Sequence, residues 1–206
     1  MAIEAGETTY YQAKRGIVQD GLVLNLDAAV DQSYNGGTTW RDLAGSNDGT
    51  LINGPTFSSD NGGVLSFDNT DDHGIITATF NFTATLCCWF SGRNTTANYL
   101  LDFRSSSGTG YLYIETDTNP GVFYTSGTSY VNGIQGDTLN DDDPNPWQHV
   151  VISGISINCL RIYIASRFSL QRFLNGKMGM IQIYNRALSA NEVAQNYNAT
   201  RHRFGV

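Results

Sequence analysis

Short runs in which apolar and polar residues alternate recur along the chain, and this pattern predicts strands. In GLVLNLDA (21–28) the three leucines fall on one face, and the valine and asparagine between them fall on the other. Further strands are predicted at 62–69, 74–92 (strongest over 85–90), 98–105, 110–117, 147–154, 158–166 and 177–185, with weaker ones in GVFYTSG (121–127) and SYVNGI (129–134). About ten to twelve short strands at near-regular spacing are typical of an all-β sandwich or jelly roll.

Two pairs of these runs are predicted to form β-hairpins, the first because the turn-forming stretch SSGTG separates its two strands. The first joins 98–105 to 110–117, and the second joins 147–154 to 158–166. No internal repeat and no linker divides the sequence into two domains. We therefore predict an N-terminal arm over residues 1–20 and one domain over residues 21–206.

One helix is predicted near the end of the chain, over about 190–198. Ser189 is a good N-cap, and Glu192 three residues later completes a capping box. Leu188 before the cap can pack on Val193 as a hydrophobic staple. A helix this short is not stable alone in water, so it should pack on the sandwich and close one end of it.

The charge and composition of the chain indicate which partners it is not expected to bind. Charged residues make up 15% of the chain and its net charge is −7, which argues against general nucleic-acid binding. Residues 1–160 carry −13 and residues 161–206 carry +6, so a basic end could dock against an acidic neighbour, unless folding scatters these charges. No apolar run is long enough to span a membrane and no secretory signal is visible, so we expect no membrane partner.

The three cysteines do not form a disulfide framework, and we expect three reduced thiols and cytoplasmic production. Cys87 and Cys88 are neighbours in a predicted strand, so their side chains should face different layers of the protein.

Several pieces, in order, resemble one known group of proteins. They are GLVLNLDA, TTWRDLAGSNDGTLINGPTF, GGVLSFDNTDDHGI, TLCCWF, YLLDFRSSSGTGYLYI, WQHVV and NGKMGMIQIYNRALSANEVAQNYNATRHRFG. The chain resembles the laminin-G-like/concanavalin-A-like lectin-fold domains found in bacteriophage virion structural proteins. The resemblance implies a two-sheet antiparallel jelly-roll sandwich with one short C-terminal helix. It also implies that the first and last strands lie close together and that the helix seals the closing strand.

Only part of a glycosidase motif is present in the sequence. Glycosidases of this fold carry a motif with two acidic residues and a further glutamate, because retaining hydrolysis needs an acid and a nucleophile. In ETDTN (115–119), Glu115 and Asp117 share a strand face, but Asn119 cannot act as either group. His149 in WQHVV matches a framework position of the resembled domains, so we interpret it as structural. We predict that the chain is not an enzyme.

Two aspartate-rich loops are candidates for metal binding, and three aromatic residues are candidates for sugar binding. The loops DNTDD (68–72) and DDDPN (141–145) each offer oxygen ligands to calcium, but aspartate is common in solvated turns, so we predict no metal and no cofactor. Trp40, Tyr124 and Tyr130 could present aromatic faces to a sugar, but core packing also explains them, and no glycan site is assigned.

We therefore predict a structural protein of the phage virion, most specifically a capsid decoration or cement protein on the particle exterior, assembled in the host cytoplasm. Its expected partners are the major capsid protein or other virion proteins, and copies of itself, with a trimer as one form. The alternative is a carbohydrate-binding adhesin on a tail or fibre that recognises host surface glycans. Aromatic and arginine side chains dominate interfaces, so the predicted partner interface consists of Tyr10, Tyr11, Lys14, Arg15, Arg201 and Arg203.

Overall fold

The fold is all-β and antiparallel, with one short helix near the C-terminal end. The computed structural model describes residues 16–92, 98–104, 111–115, 121–124, 126–139 and 147–206. The strands are β1 (Leu22–Asp27), β2 (Thr39–Trp40), β3 (Gly49–Ile52), β4 (Thr56–Ser58), β5 (Val64–Asp68), β6 (His73–Ser91), β7 (Asn98–Asp102), β8 (Tyr111–Glu115), β9 (Gly121–Tyr124), β10 (Thr128–Val131), β11 (Ile134–Gln135), β12 (Gln148–Ile164) and β13 (Asn175–Tyr184). Helix α1 (Ala190–Thr200) and a 3₁₀ turn (Arg201–Phe204) follow.

The two long strands β6 and β12 pair with each other from end to end and hold two groups of strands together. The second half of β6 pairs with β13, and the first half of β12 pairs with β10. Strand β13 also pairs with β1 and with β5. The first half of β6 pairs with β3, and the end of β12 pairs with β7, which leads to β8 and β9. Both groups supply residues to one hydrophobic core, an arrangement consistent with a β-sandwich.

The core is built from the inward-facing residues of both groups. Trp40, Phe80, Leu86 and Ile183 are at most 2% exposed and belong to one cluster. Each large apolar side chain buried in this way stabilises the fold by about 1.5 to 3 kcal/mol. Cys88 belongs to this core, whereas Cys87 packs in a second cluster beneath α1. This confirms the prediction that the two neighbouring cysteines face different layers.

The predicted C-terminal helix is confirmed, and it ends two residues later than expected, at Thr200. The Ser189 side chain accepts a hydrogen bond from the Glu192 amide, and the Glu192 carboxylate accepts one from the Ser189 amide at 2.8 Å. Leu188 and Val193 pack in the same buried cluster, as a hydrophobic staple requires. The pairing of β1 with β13 also places the first and last strands together, as expected.

The predicted second hairpin is wrong, because 147–154 and 158–166 are not two strands joined by a turn. Residues 148–164 form the continuous strand β12, and it runs antiparallel to β6 throughout. Gly154, with a φ of 82°, ends the first of the two predicted strands, but in the structure it marks a β-bulge between Ser153 and Ile155. The first predicted hairpin is confirmed, since β7 pairs antiparallel with β8.

The described part of the predicted arm packs against α1. The amide of Val18 donates to Asn196 Oδ1 at 2.8 Å, and Tyr184 Oη donates to the carbonyl of Val18 at 3.0 Å. Arg186 pairs with both Asp20 and Glu192 and thereby links this segment to the helix cap. Residues 16–20 are therefore fixed to the domain. No described helix is long and apolar enough to cross a membrane.

Candidate functional site

The candidate site lies where β6 and β12 cross from one group of strands to the other. Residues 77–84 of β6 and 154–161 of β12 pair only with each other among the described strands. Along these stretches side chains alternate between the core and solvent: Ile155, Ile157 and Cys159 are buried, while the residues between them are exposed. This two-stranded ribbon therefore presents an outward face of polar side chains.

An open groove of about 760 Å³ runs along this face. Residues 77–79 of β6 form one side, and residues 158–161 together with Tyr163 of β12 form the other. Phe103 and Arg104, which follow β7, also line the groove. A volume of this size is in the range of small-molecule and sugar sites.

Both polar and apolar side chains line the groove. Thr77, Thr79 and Asn158 are exposed and supply hydroxyl and amide groups that can both donate and accept hydrogen bonds. Leu160 is 70% exposed, and Tyr163 is half-buried in the lining. Hydroxyl-bonding groups beside apolar and aromatic surface can recognise a sugar, which has hydroxyls at its rim and C–H groups on its faces.

A buried ion pair joins Arg104, which lines the groove, to Asp102. Arg104 Nη2 lies 2.6 Å from Asp102 Oδ2, and the two side chains are 6% and 0% exposed. Asp102 also accepts hydrogen bonds from the amides of Arg104 and Phe168. The Arg104 guanidinium lies 4.4 Å from the ring centre of Tyr111 and 5.1 Å from that of Phe168. This pairing holds Arg104 in one orientation at the groove.

A separate carboxylate cluster occupies the DNTDD loop. One oxygen from each of Asp68, Asp71 and Asp72 lies within 4.8 Å of the others. Hydrogen bonding to the Thr70 amide lowers the pKa of Asp68, while burial and the charge of Asp68 raise the pKa of Asp72. Such clusters are common in exposed turns, so the proximity alone does not define a metal site. The second calcium candidate, 141–145, lies outside the described residues.

His149 is a residue of β12, and its side chain is buried against Trp89 of β6 and Tyr197 of α1. Its ring centre lies 5.0 Å from that of Trp89, which also stacks on Tyr197 and Phe204. His149 is 1% exposed, and its Nδ1 has no hydrogen-bond partner among the described residues. Burial lowers the pKa of His149 to about 3, so the ring is neutral at physiological pH. These surroundings suit a packing role for the side chain.

This buried histidine predicts a loss of stability in acid. The unfolded chain takes up a proton at His149 near its ordinary pKa of 6.5, whereas the folded chain does not until about pH 3. The free energy of unfolding should therefore fall by up to about 1.4 kcal/mol for each pH unit below 6.5. Urea unfolding from pH 7 to 4.5 measures this slope. His149→Phe should flatten the slope, and His202→Gln, at an exposed position, should leave it unchanged. Equal slopes for His149→Phe and the wild type would contradict the assignment.

The residues predicted to form the partner interface have three different outcomes in the structure. Tyr10, Tyr11, Lys14 and Arg15 lie outside the described residues. Arg201 is exposed and follows α1. The Arg203 guanidinium binds within the chain instead: it lies 2.6 Å from Asp27 and donates to the carbonyls at positions 61 and 63. Arg203 therefore joins the C-terminal segment to the end of β1.

The residues weighed for sugar binding and catalysis do not meet at one site. Trp40 is fully buried and Tyr130 is 6% exposed, so neither presents a face to a ligand. Tyr124 ends β9 and Glu115 ends β8, but their side chains are outside the described part of the chain. Asp117 is likewise outside it. The groove residues were missed because a long-range strand pairing brings them together, although the alternation in TATFNFTAT (77–85) and GISINCL (154–160) indicated one exposed face.

No protein-family model and no curated protein sequence matches the chain. Solved structures with a similar fold are all-β and lectin-like, which confirms that part of the sequence prediction. Trypanosoma rangeli sialidase in complex with 2,3-difluorosialic acid matches at a TM-score of 0.57 and 14% identity, over 89% of this chain and 34% of the sialidase chain. The botulinum neurotoxin type G receptor-binding domain matches at 0.51 and 12%, over 86% of this chain and 51% of that one. The chain thus spans about a third to a half of these proteins.

These matches correct the prediction that the chain is not an enzyme. A protein that shares the fold over 89% of this chain, the Trypanosoma rangeli sialidase, is an enzyme. The exclusion was therefore wrong, because it rested on short motifs and fold-level resemblance, and this fold occurs within an enzyme. At 14% identity the likeness concerns the fold alone.

Proposed function

We propose that the protein is a lectin-like carbohydrate-recognition protein on the exterior of a bacteriophage particle, with a jelly-roll sandwich of the laminin-G-like/concanavalin-A-like kind. The groove between β6 and β12 carries the proposal. It combines exposed hydroxyl and amide groups with an apolar residue and a tyrosine, at a volume of about 760 Å³. The placement on a phage particle rests on the resemblance of the sequence pieces to phage virion domains.

Two solved structures with a similar fold support a binding role. One structure with this fold is named as the receptor-binding domain of a neurotoxin, so the fold serves recognition in that protein. Another is a sialidase solved with a sialic-acid derivative. A fold used for recognition, together with an open polar groove on its surface, favours a binding role for this chain.

A glycan array tests the proposed function. We expect the purified chain to bind a subset of glycans, and Asn158→Ala to weaken that binding about tenfold through the loss of hydrogen bonds to sugar hydroxyls. Ser156→Ala is the matched control, because Ser156 is exposed on the same strand face but does not line the groove. Absence of any binding, or equal losses in the two variants, would contradict the proposal.

A second candidate function is capsid decoration, in which the chain docks on the major capsid protein as a single copy or a homotrimer. The observation in its favour is that residues 16–20 are fixed to α1, so a preceding arm would leave the domain at a defined point. Quantifying the chain against the major shell protein in purified particles tests this candidate. Hundreds of copies would support decoration, and a handful would place the chain on a tail or fibre.

A further inference from the structure

The groove differs in charge from the rest of the chain. The sequence contains 19 acidic and 12 basic residues and has a net charge of −7. The described lining of the groove includes two arginines, Arg104 and Arg161, and no aspartate or glutamate. The nearby Asp102 is fully buried and is already bonded to Arg104, so it presents no charge to the groove. On this acidic protein the groove surface is therefore locally basic.

Arg161 supplies the accessible positive charge. It is exposed, and it forms no ion pair with any described carboxylate. A β-bulge of β6, in which Ala78 and Thr79 stand opposite the single residue Leu160, shifts the register between Cys159 and Arg161 of β12. At this point two consecutive side chains, Leu160 and Arg161, are both exposed at the groove. Strict alternation along β12 would turn Arg161 toward the core.

We infer that the groove binds a sugar that carries a carboxylate, an inference that rests on the proposed glycan-binding function. The planar guanidinium of Arg161 can donate two parallel hydrogen bonds to a carboxylate. The side chain of Asn158 and the hydroxyls of Thr77 and Thr79 are near enough along the same lining to bind hydroxyls of the sugar ring. Leu160 and Tyr163 offer apolar surface to its C–H face. One groove thus contains a partner for each chemical feature of an acidic sugar.

The basic groove can offset the repulsion between the acidic protein and a negatively charged ligand. A ligand with a negative charge is repelled at long range by a protein of net charge −7. Salt screens that repulsion beyond about 10 Å at 0.1 M ionic strength, while a direct arginine–carboxylate contact is screened less. The contact at Arg161 should therefore dominate at physiological ionic strength.

Matched pairs of glycans test the inference. The pairs are sialyllactose with lactose, and an oligogalacturonate with its methyl ester, titrated against the full chain by calorimetry. We expect the acidic member of at least one pair to bind about tenfold more tightly. Arg161→Gln should abolish that preference, and Arg161→Lys should retain part of it through charge alone. Arg172→Gln is the control, since Arg172 is exposed, does not line the groove, and its loss changes the net charge equally.

The outcomes separate this inference from the proposed function. Binding of neutral and acidic members with equal affinity, unchanged by Arg161→Gln, would overturn the carboxylate inference while leaving a glycan-binding groove. A preference lost equally in Arg161→Gln and Arg172→Gln would show an effect of net charge, and would also overturn the inference. Absence of binding to every glycan on the array would overturn both.

Discussion

Replacing Asp102 with alanine is expected to lower the free energy of unfolding by about 3 to 5 kcal/mol. Both members of the Asp102–Arg104 pair are buried, with side chains 0% and 6% exposed, and their closest atoms are 2.6 Å apart. Removal of the carboxylate takes away the acceptor that lies 2.6 Å from the buried guanidinium. It also removes the acceptor for the amides of Arg104 and Phe168. The loss should therefore exceed that of an ordinary hydrogen bond, which is about 1 kcal/mol.

Urea unfolding of four proteins measures this effect: wild type, Asp102→Ala, Arg104→Met and the double variant Asp102→Leu/Arg104→Met. The double variant should be more stable than Asp102→Ala, because it no longer buries the charge of Arg104. Since Arg104 also lines the groove, Asp102→Ala should weaken glycan binding under conditions where the protein is still folded. A loss below about 1 kcal/mol in Asp102→Ala would show that the arginine finds other partners, and would contradict this account of the groove wall.

Replacing Trp89 with alanine is expected to cost a similar amount, about 3 to 5 kcal/mol. Trp89 is 1% exposed, and its ring stacks on Phe204 at 4.3 Å and on Tyr197 at 5.8 Å. Its indole Nε1 donates to the hydroxyl of Thr200 at 2.8 Å. One side chain of β6 thus holds both α1 and the 3₁₀ turn that follows it. Its removal leaves a large cavity under elements that cannot be stable alone.

Hydrogen exchange gives this prediction a local measurement. In Trp89→Ala the amides of residues 190–204 should lose protection before those of β6 and β12 do. Trp89→Phe keeps an aromatic ring but removes the hydrogen bond to Thr200, so it should cost only about 1 kcal/mol. Uniform loss of protection across the whole chain in Trp89→Ala would contradict a local role and would place this residue in the common core.

Local sequence signals predicted the elements that depend on neighbouring residues. Ser189 and Glu192 sit three apart and identify the start of α1, because the capping box forms within one turn. Alternation identified β1, β5 and β13, which are short or fully paired. The same local reasoning failed at Gly154, because a glycine in a bulge and a glycine in a turn have the same sequence signal.

The groove could not be predicted by the same means. Thr79 and Asn158 lie 79 positions apart and approach only because β6 and β12 pair along their whole length. The exposure of Arg161 accompanies a bulge that no residue of the sequence marks, since no glycine stands at Ala78, Thr79 or Leu160. The aromatic candidates Trp40 and Tyr130 were weighed for sugar binding from residue type alone, and burial places both in the interior. Long-range pairing and burial therefore decide this site.

Amide NMR spectra of the isotope-labelled chain, recorded during titration with the tightest glycan from the array, test the central claim most directly. If the groove is the binding site, the largest shifts will fall on residues 77–79 and 158–161, with smaller ones at Phe103 and Arg104. The shifts should saturate at the affinity measured by calorimetry. Shifts centred instead on the carboxylate cluster at 68–72 or on the C-terminal helix, or no shifts at saturating glycan, would contradict the account.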